Sequence, residues 1–255
     1  MAISIITRAN KTSELKALIR NLNSNNEVER EIIAVCNVND YDINGINLVI
    51  ENSNRFQAKI TGIINESHEN VLLIDSDQIP EKGLLRELEN KKEDMVIIPE
   101  KSLNTNFTSI CLDDWRSRNE KLARKILTPY VPVVPRFYKQ KYLKNIAKKI
   151  SPNVCKIIDH EDSILYYYIY KETKNIGFSH KCIYNNDPNL YELMKKAYLY
   201  GKNNKRTENF EIPEEISILL NRLNNNIFNI KELGIGKGYI LQILRAMSYE
   251  LGRII

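Results

Sequence analysis

Cysteine is sparse in this chain, and its placement rules out the usual cysteine chemistries. Cys36, Cys111, Cys155 and Cys182 stand far apart, and no pair has the spacing of a zinc ribbon or a CxxC redox site. Three of them sit among apolar neighbours, so buried free thiols are expected. No run of about 18 apolar residues exists, which excludes a membrane-spanning helix. No basic leader is visible, since Met1 runs directly into a strand-like Ala2–Ile6 segment. A secretory signal is therefore not expected, and the expected location is cytoplasmic, with a peripheral place on the cytoplasmic membrane face left open. Internal repeats are lacking, as are low-complexity tracts beyond short asparagine runs. Glycine is scarce, nine residues in 255, a compositional bias to which no function attaches. Lysine and arginine form no dense block.

What is present is the composition of a globular protein. Hydrophobic residues make up 43% and charged residues 27%, enough for a packed core in one large domain or two small ones. The formal charge of +5 and pI near 8.8 favour anionic partners: a nucleotide, an anionic lipid surface or a nucleic acid.

The first half alternates strand and helix signals. Ile3–Ile6, Glu31–Cys36, Asn47–Glu51, Val71–Ile74 and Met95–Pro99 read as strands. Between them, Ser13 with Leu15, Leu18, Ile19 and Leu22, then residues 55–66, then Leu84–Leu88 read as helices. Apolar strands without alternation argue for a parallel sheet covered on both faces. The second half is less regular. Helices are predicted at 113–127, Tyr142–Ile150, Asp162–Lys171 and 189–200, an edge strand within the Pro-punctuated Tyr130–Tyr138, and a strand over Ile176–Tyr184. Residues 201–213 read as polar and flexible, and the tail as two further helices divided near Gly234–Gly238.

The most informative stretch is Val71-Leu72-Leu73-Ile74-Asp75-Ser76-Asp77-Gln78-Ile79-Pro80. If the strand continues, Asp75 and Asp77 point to one side and leave its carboxyl end together, where open α/β sheets place ligands. Paired carboxylates repel unless a cation lies between them, and a hard divalent ion such as Mg²⁺ or Mn²⁺ suits them. The alternative is a turn, since Asp and Ser both bond local backbone. In the preceding helix, Arg55 and Lys59 either approach a nucleotide diphosphate or lie on a solvated face. Asp159-His160-Glu161-Asp162 precedes an apolar helix, so its acids either cap that helix or supply a general base. His180 can complete a carboxylate metal site or be structural. Gly201 suits a helix C′ position, and Lys202 either reaches a phosphate or is a surface lysine that offsets the helix dipole. The segment Gly236–Ile255 is aromatic-flanked, apolar and basic, which fits an interfacial helix or one packed on the body of the protein.

Taken in order, these pieces resemble family 2 glycosyltransferases of the GT-A fold. Ser4–Asn10 resembles that family's first strand and nucleotide-facing loop. Arg55 through Asp77 resembles its helix and DxD strand, Glu161-Asp162 with Leu165 its "ED" segment, and Leu193–Lys202 the helix that follows in many members. The terminal Leu251-Gly252-Arg253 is similar to the end of membrane-associated members. The likeness spans roughly residues 1–205, and it implies an α/β protein with a mostly parallel GT-A sheet flanked by helices. The nucleotide-binding half would be about 1–100, the acceptor half about 101–205, and a helical C-terminal extension 206–255.

The resemblance further implies an inverting, metal-dependent transfer from a UDP- or GDP-linked sugar to a hydroxyl of a glycan or lipid-linked acceptor. Mn²⁺ or Mg²⁺ would be held by Asp75, Asp77 and His180. Nucleotide contacts would fall to Thr7, Arg8, Asn37, Asn39, Arg55 and Asp75, and Asp162 would be the base. Peripheral membrane contact through the C-terminal helices is expected, and no nucleic-acid partner. Two departures stand out. The acidic pair that members often carry after the second strand is replaced by Cys36-Asn37-Val38-Asn39-Asp40, and their histidine before the Tyr-Gly-Lys helix falls by spacing near Asn185 rather than at His180. A silent GT-A-like nucleotide-binding or assembly domain is one alternative. A DxD phosphatase with Asp75 as nucleophile is the other.

Overall fold

A computed structural model describes residues 2–24, 28–37, 44–131, 133–157, 160–207, 210–226 and 236–254, with the side chains of 205–207 and 224–226 excepted. The chain forms two compact units, each discontinuous in sequence. The first comprises Met1–Pro99, Pro135–Ile150 and Leu165–Asn185; the second comprises Glu100–Val134, Ser151–Ile164 and Asn186–Ile255.

The first unit is built on a seven-stranded sheet. Its strands are β1 (Ile3–Ala9), β2 (Arg30–Cys36), β3 (Asn47–Ile50), β4 (Asn70–Leu73), β6 (Met95–Ile97), β8 (Phe137–Lys139) and β9 (Ile176–Phe178), in the order β3-β2-β1-β4-β8-β6-β9. β1 runs parallel to β2 and to β4, and β2 to β3. Only β8 reverses, pairing antiparallel with β4 and β6. The continuous apolar runs follow from burial on both faces. On one face, Ile3, Ile5, Ile32, Ala34, Leu72 and Val96 pack with Leu15, Leu18, Ile19 and Leu22 of α1 (Thr12–Ser24) and Leu84, Leu85 and Leu88 of α3 (Leu84–Glu89). Burying the four α1 side chains contributes roughly 6–12 kcal/mol as an upper bound. On the other face lies α2 (Arg55–Asn65). It packs so closely that a methyl on Gly62 would sit 2.3 Å from Ile6 Cγ2. A capping box starts α2: Asn54 Oδ1 accepts from Gln57 N, and Gln57 Oε1 accepts from Asn54 N. That satisfies two of the donors a helix start leaves open.

Three expectations for this unit change. The strand predicted within Tyr130–Tyr138 is an interior one. Pro135 comes just before the paired residues, which begin with Arg136, whose N–H donates to Val96 and whose carbonyl accepts from Leu73 N, so no ladder donor is lost. The strand predicted over Ile176–Tyr184 is two strands, β9 and β10 (Ile183–Asn185), separated by a corner at 179–182. There Glu87 of α3 accepts from the Ser179 hydroxyl and from the backbone N–H groups of His180 and Lys181. β10 then pairs antiparallel with β5 (Gln78–Pro80). Third, β4 ends at Leu73, before the aspartates.

The second unit holds the short strand β7 (Glu100–Ser102), α4 (Phe107–Lys125), α7 (Leu190–Thr207), α8 (Glu214–Asn226), a final helix α9 (Lys237–Ile254) and the opening of α6 (Glu161–Glu172), which runs on into the first unit. Helix α4 starts six residues before its predicted start, capped by Asn106, whose side chain accepts from Ser109 N. Gly201 is not a C′ residue. It lies inside α7, which continues to Thr207 because that glycine is a packing surface: a Cβ there would fall 1.9 Å from the Tyr249 carbonyl oxygen. Gly252 of α9 reciprocates, with its Cβ position 2.1 Å from the Tyr198 carbonyl oxygen, and Gly238 sits 2.6 Å from the Cys111 oxygen of α4 by the same measure. Cys111, Leu112, Leu193 and Leu241 close the apolar centre of these helices. The helices beyond residue 206 are counted in this unit. Within it, Arg116 makes a two-pronged pair with Asp187, Nη1–Oδ2 2.9 Å and Nη2–Oδ1 2.6 Å. Burial alone would depress the Arg116 pKa, but the hydrogen bond and charge of Asp187, with Glu100 and Asp113, hold it above its ordinary value. All four cysteines are buried and free.

Candidate nucleotide and metal site

The carboxyl ends of β1, β2 and β4 bring three segments to one edge of the sheet in the first unit. These are the end of β1, the start of α2 with its preceding loop, and residues 74–78 after β4. Ile74 remains tied to β1 through its N–H to the Ile6 carbonyl at 3.0 Å. Beyond it the chain turns. Gln78 N donates to the Asp75 carbonyl at 3.0 Å, and Asp75 N donates to Gln78 Oε1 at 2.9 Å. Asp75 and Asp77 therefore sit in a turn, and strand alternation no longer orients them. Asp75 is partly buried and Asp77 exposed.

The cation beside Asp75 is a guanidinium. Arg55 Nη2 donates to Asp75 Oδ2 at 2.6 Å, and Arg136 Nη1 stands 4.0 Å from the same oxygen. Arg55 is thus no solvated surface residue, and Lys59 is 5% exposed. A pair at 4 Å gains about 4 kcal/mol at an effective dielectric of 20. Both side chains keep some exposure, 27% and 19%, and desolvation and screening leave about 1 kcal/mol net. The pair acts mainly by fixing the turn to the first residue of α2.

Gln78 completes the turn. It is 2% exposed, and its Nε2 donates to Asn185 Oδ1 at 2.8 Å. Register agrees, since Asn185 is the direct partner of Gln78 across β5 and β10. Asn185 is therefore the residue held against the diaspartate turn. His180 is exposed in the corner before β10, its backbone N–H donating to Glu87. Among the described residues no three His, Cys, Asp or Glu side chains are grouped to hold a metal.

The remaining expected contacts divide. Thr7 is 1% exposed and Ser53 7%, and the hydroxyls of both are buried without a hydrogen-bond partner among the described residues. Such groups are costly unless something binds them. Arg8 reaches the Ser53 carbonyl with Nη2 at 3.4 Å. Asn37 is exposed directly after β2, and Asn39 lies outside the described residues. Mg²⁺-type sites often use one or two carboxylates and take the rest from phosphate oxygens and water; Asp77 supplies an exposed carboxylate, with Asp75 beside it.

In the second unit, Asp162 lies in the first turn of α6, partly exposed, next to Glu161, which is 4% exposed. The helix opens from His160, held at a left-handed φ of 60°, with Ile164 N donating to its carbonyl. A non-glycine residue there is uncommon and strained. Asp159 lies outside the described residues.

Sequence reasoning missed Gln78, Arg136 and Ser53. Arg136 carried a usable signal: a single arginine in the Pro-Val-Val-Pro-Arg-Phe-Tyr run is a charge among buried neighbours and asks for a partner. Gln78 and Ser53 carried none, because their roles depend on the turn and on the start of α2.

No protein-family model matches the chain, and no curated protein matches it. Solved structures do. The mannosyltransferase PcManGT from Pyrobaculum calidifontis, in complex with GDP-Man and Mn²⁺, is 11% identical, with a TM-score of 0.61 over 99% of this chain and 86% of that one. S. aureus TarS 1-349 is 15% identical, with a TM-score of 0.56 over 99% of this chain and 81% of that one. The same fragment in complex with UDP-GlcNAc gives 17%, 0.55, 99% and 81%. At these identities the likeness establishes the fold, an α/β protein of the GT-A type with a mostly parallel sheet flanked by helices.

Proposed function

We propose that this chain is a glycosyltransferase resembling family 2, moving a sugar from a UDP- or GDP-linked donor to a hydroxyl of a glycan or lipid-linked acceptor with inversion. The observation that carries the reading is the diaspartate turn at the carboxyl edge of a GT-A sheet. There Asp77 is exposed, Asp75 is clamped by Arg55, and the Thr7 and Ser53 hydroxyls are buried nearby without partners among the described residues. The bound nucleotide sugars of the solved neighbours support the substrate class.

In this reading Asp77, with Asp75 beside it, holds Mn²⁺ or Mg²⁺, whose chemistry when bound is to offset charge on the departing nucleoside diphosphate. Arg8, Thr7 and Ser53 line the nucleotide, with Asn37 at its margin. Arg55 orients Asp75 and lies within reach of a diphosphate. Asp162 takes the proton of the acceptor hydroxyl. The protein works in the cytoplasm, at the membrane face. Ile240, Leu244, Met247, Leu251 and Ile254 support that contact, because they form one exposed stripe along α9, opposite the buried Gly238, Leu241 and Gly252.

Thermal-shift measurements with UDP-, GDP- and dTDP-sugars and Mn²⁺ test the reading. Stabilisation by one donor, abolished by EDTA, is expected. No response to any donor refutes it. Asp162→Asn is expected to abolish transfer and leave the metal-dependent shift intact; a loss of both removes Asp162 from the base role. Asn185 in place of the family histidine favours one second reading, a domain that binds the nucleotide sugar without turnover, which shows the same shift and no transfer. A phosphatase with Asp75 as nucleophile is disfavoured, because Arg55 occupies the carboxylate that would attack.

A further inference from the structure

We propose that Arg245 and Gln242 of α9 form an oxyanion-binding site in the second unit, receiving a phosphate group that is either free or part of a larger molecule. Residues of that unit alone carry the inference, and it does not depend on the nucleotide site.

Close packing through Gly238 and Gly252 leaves one face of α9 with little water. Two strong hydrogen-bonding side chains lie on that face. Gln242 is 3% exposed; its Oε1 accepts from Arg245 Nη1 at 3.0 Å, and its Nε2 is buried with no partner among the described residues. The amide orientation is chemically forced, because the opposite one would aim an N–H₂ group at the guanidinium. Arg245 is partly buried and meets no carboxylate among the described residues. Burial depresses its pKa; the ionisable groups acting on it are Tyr200 of α7, which favours the charge, and Arg116 of α4, which opposes it.

Arg116 and Arg245, both of this unit, make an informative contrast. Arg116 is supplied with a buried acid, Asp187, in a two-pronged pair. Among the described residues Arg245 uses one of its five donors, on a neutral amide that itself has donors to spare. A folded protein that desolvates a charge without compensation pays for it in stability, and an anion on the remaining edge of the guanidinium removes that penalty. The planar fork matches phosphate or carboxylate oxygens two at a time, with phosphate adding charge. Gln242 acts as the positioning residue, holding the fork from behind.

The test is the melting temperature of the full chain in chloride buffers of matched ionic strength, with inorganic phosphate, glycerol 3-phosphate or glycerophosphoglycerol added. The wild type is expected to gain about 4 °C at an anion concentration of about ten times the dissociation constant. Arg245→Met is expected to gain nothing, and without phosphate to melt at or above the wild type, because a desolvated charge has been removed. Arg245→Lys is expected to keep part of the response. A response to inorganic phosphate alone assigns a free ion, and a larger response to the ester or diester assigns the phosphate of a larger molecule. Equal shifts in wild type and Arg245→Met, or no shift with any of the three, overturn the proposal. So does Arg245→Met melting well below wild type without phosphate, which would mark Arg245 as already satisfied.

Discussion

The crossing of α7 and α9 yields a prediction whose sign separates two physical effects. In an isolated helix, Gly201→Ala is favourable by about 1 kcal/mol, since alanine loses less backbone freedom. Here the added methyl would lie 1.9 Å from the Tyr249 carbonyl oxygen, and at Gly252 2.1 Å from the Tyr198 oxygen. Both obstacles are backbone, which no rotamer change can move, so the helices must separate along the whole crossing. Overpacking of this kind costs about 1–3 kcal/mol, and a backbone obstacle belongs at the upper end. The net expectation for either single variant is a loss of about 2 kcal/mol, or a melting temperature lower by about 4–8 °C for a chain of this size. Because both methyls demand the same separation, the double variant should lose less than the sum of the singles, by about 1 kcal/mol or more. Circular dichroism during thermal and urea unfolding measures all three. A stability gain in either single variant would refute the close approach. Strict additivity would refute the shared crossing.

Further expectations concern the metal, the acid limb and the membrane face. Asp77→Asn should leave the melting temperature of the protein alone within about 0.5 kcal/mol, as for an exposed position, and abolish the Mn²⁺-dependent part of the nucleotide-sugar shift; retention of that shift would move the metal off Asp77. Glu81 is held at a pKa of about 2, against an ordinary 4.5, first by its hydrogen bond to Lys181 and then by the Cys182 N–H. Its folded value is depressed, so its contribution is complete above the unfolded pKa and is lost as pH falls through about 2. The stability gap between wild type and Glu81→Gln should therefore be flat at neutral pH and shrink below about pH 4, as acid titrations of unfolding would report. Met247→Asp with Leu251→Asp, on exposed positions of α9, should abolish co-sedimentation with anionic vesicles and change the melting temperature little; unchanged sedimentation would remove α9 as the contact.

Much of this architecture was legible because burial on two faces writes long apolar runs, and Ile3–Ile6, Ile32–Cys36 and Val71–Ile74 are such runs. The carboxyl edge of the sheet followed from them, and the diaspartate with it. What pattern alone did not reveal was local. Strand alternation stops at Leu73, where the Asp75 N–H donating to the Gln78 side chain and the Arg55 pair close a turn instead. The bend at 179–182 is hidden inside a segment apolar enough to read as one strand, and it is what sets Asn185 opposite Gln78. Gly201 looked like a helix end because its use, a closely approaching partner helix some fifty residues later in sequence, is a tertiary fact.

The interleaving of the two units constrains how the protein comes into being. The polypeptide passes between them five times, after residues 99, 134, 150, 164 and 185. Neither unit can be excised as a continuous fragment, and truncation from either end removes part of the second unit or opens the sheet of the first. Synthesis meets the same constraint. β4 and β6 emerge from the ribosome well before β8, the strand that belongs between them. Until then both present bare, apolar edges of the sort that recruit foreign strands. A nascent chain of this design therefore has to be shielded, or kept dilute, until residue 139 is made.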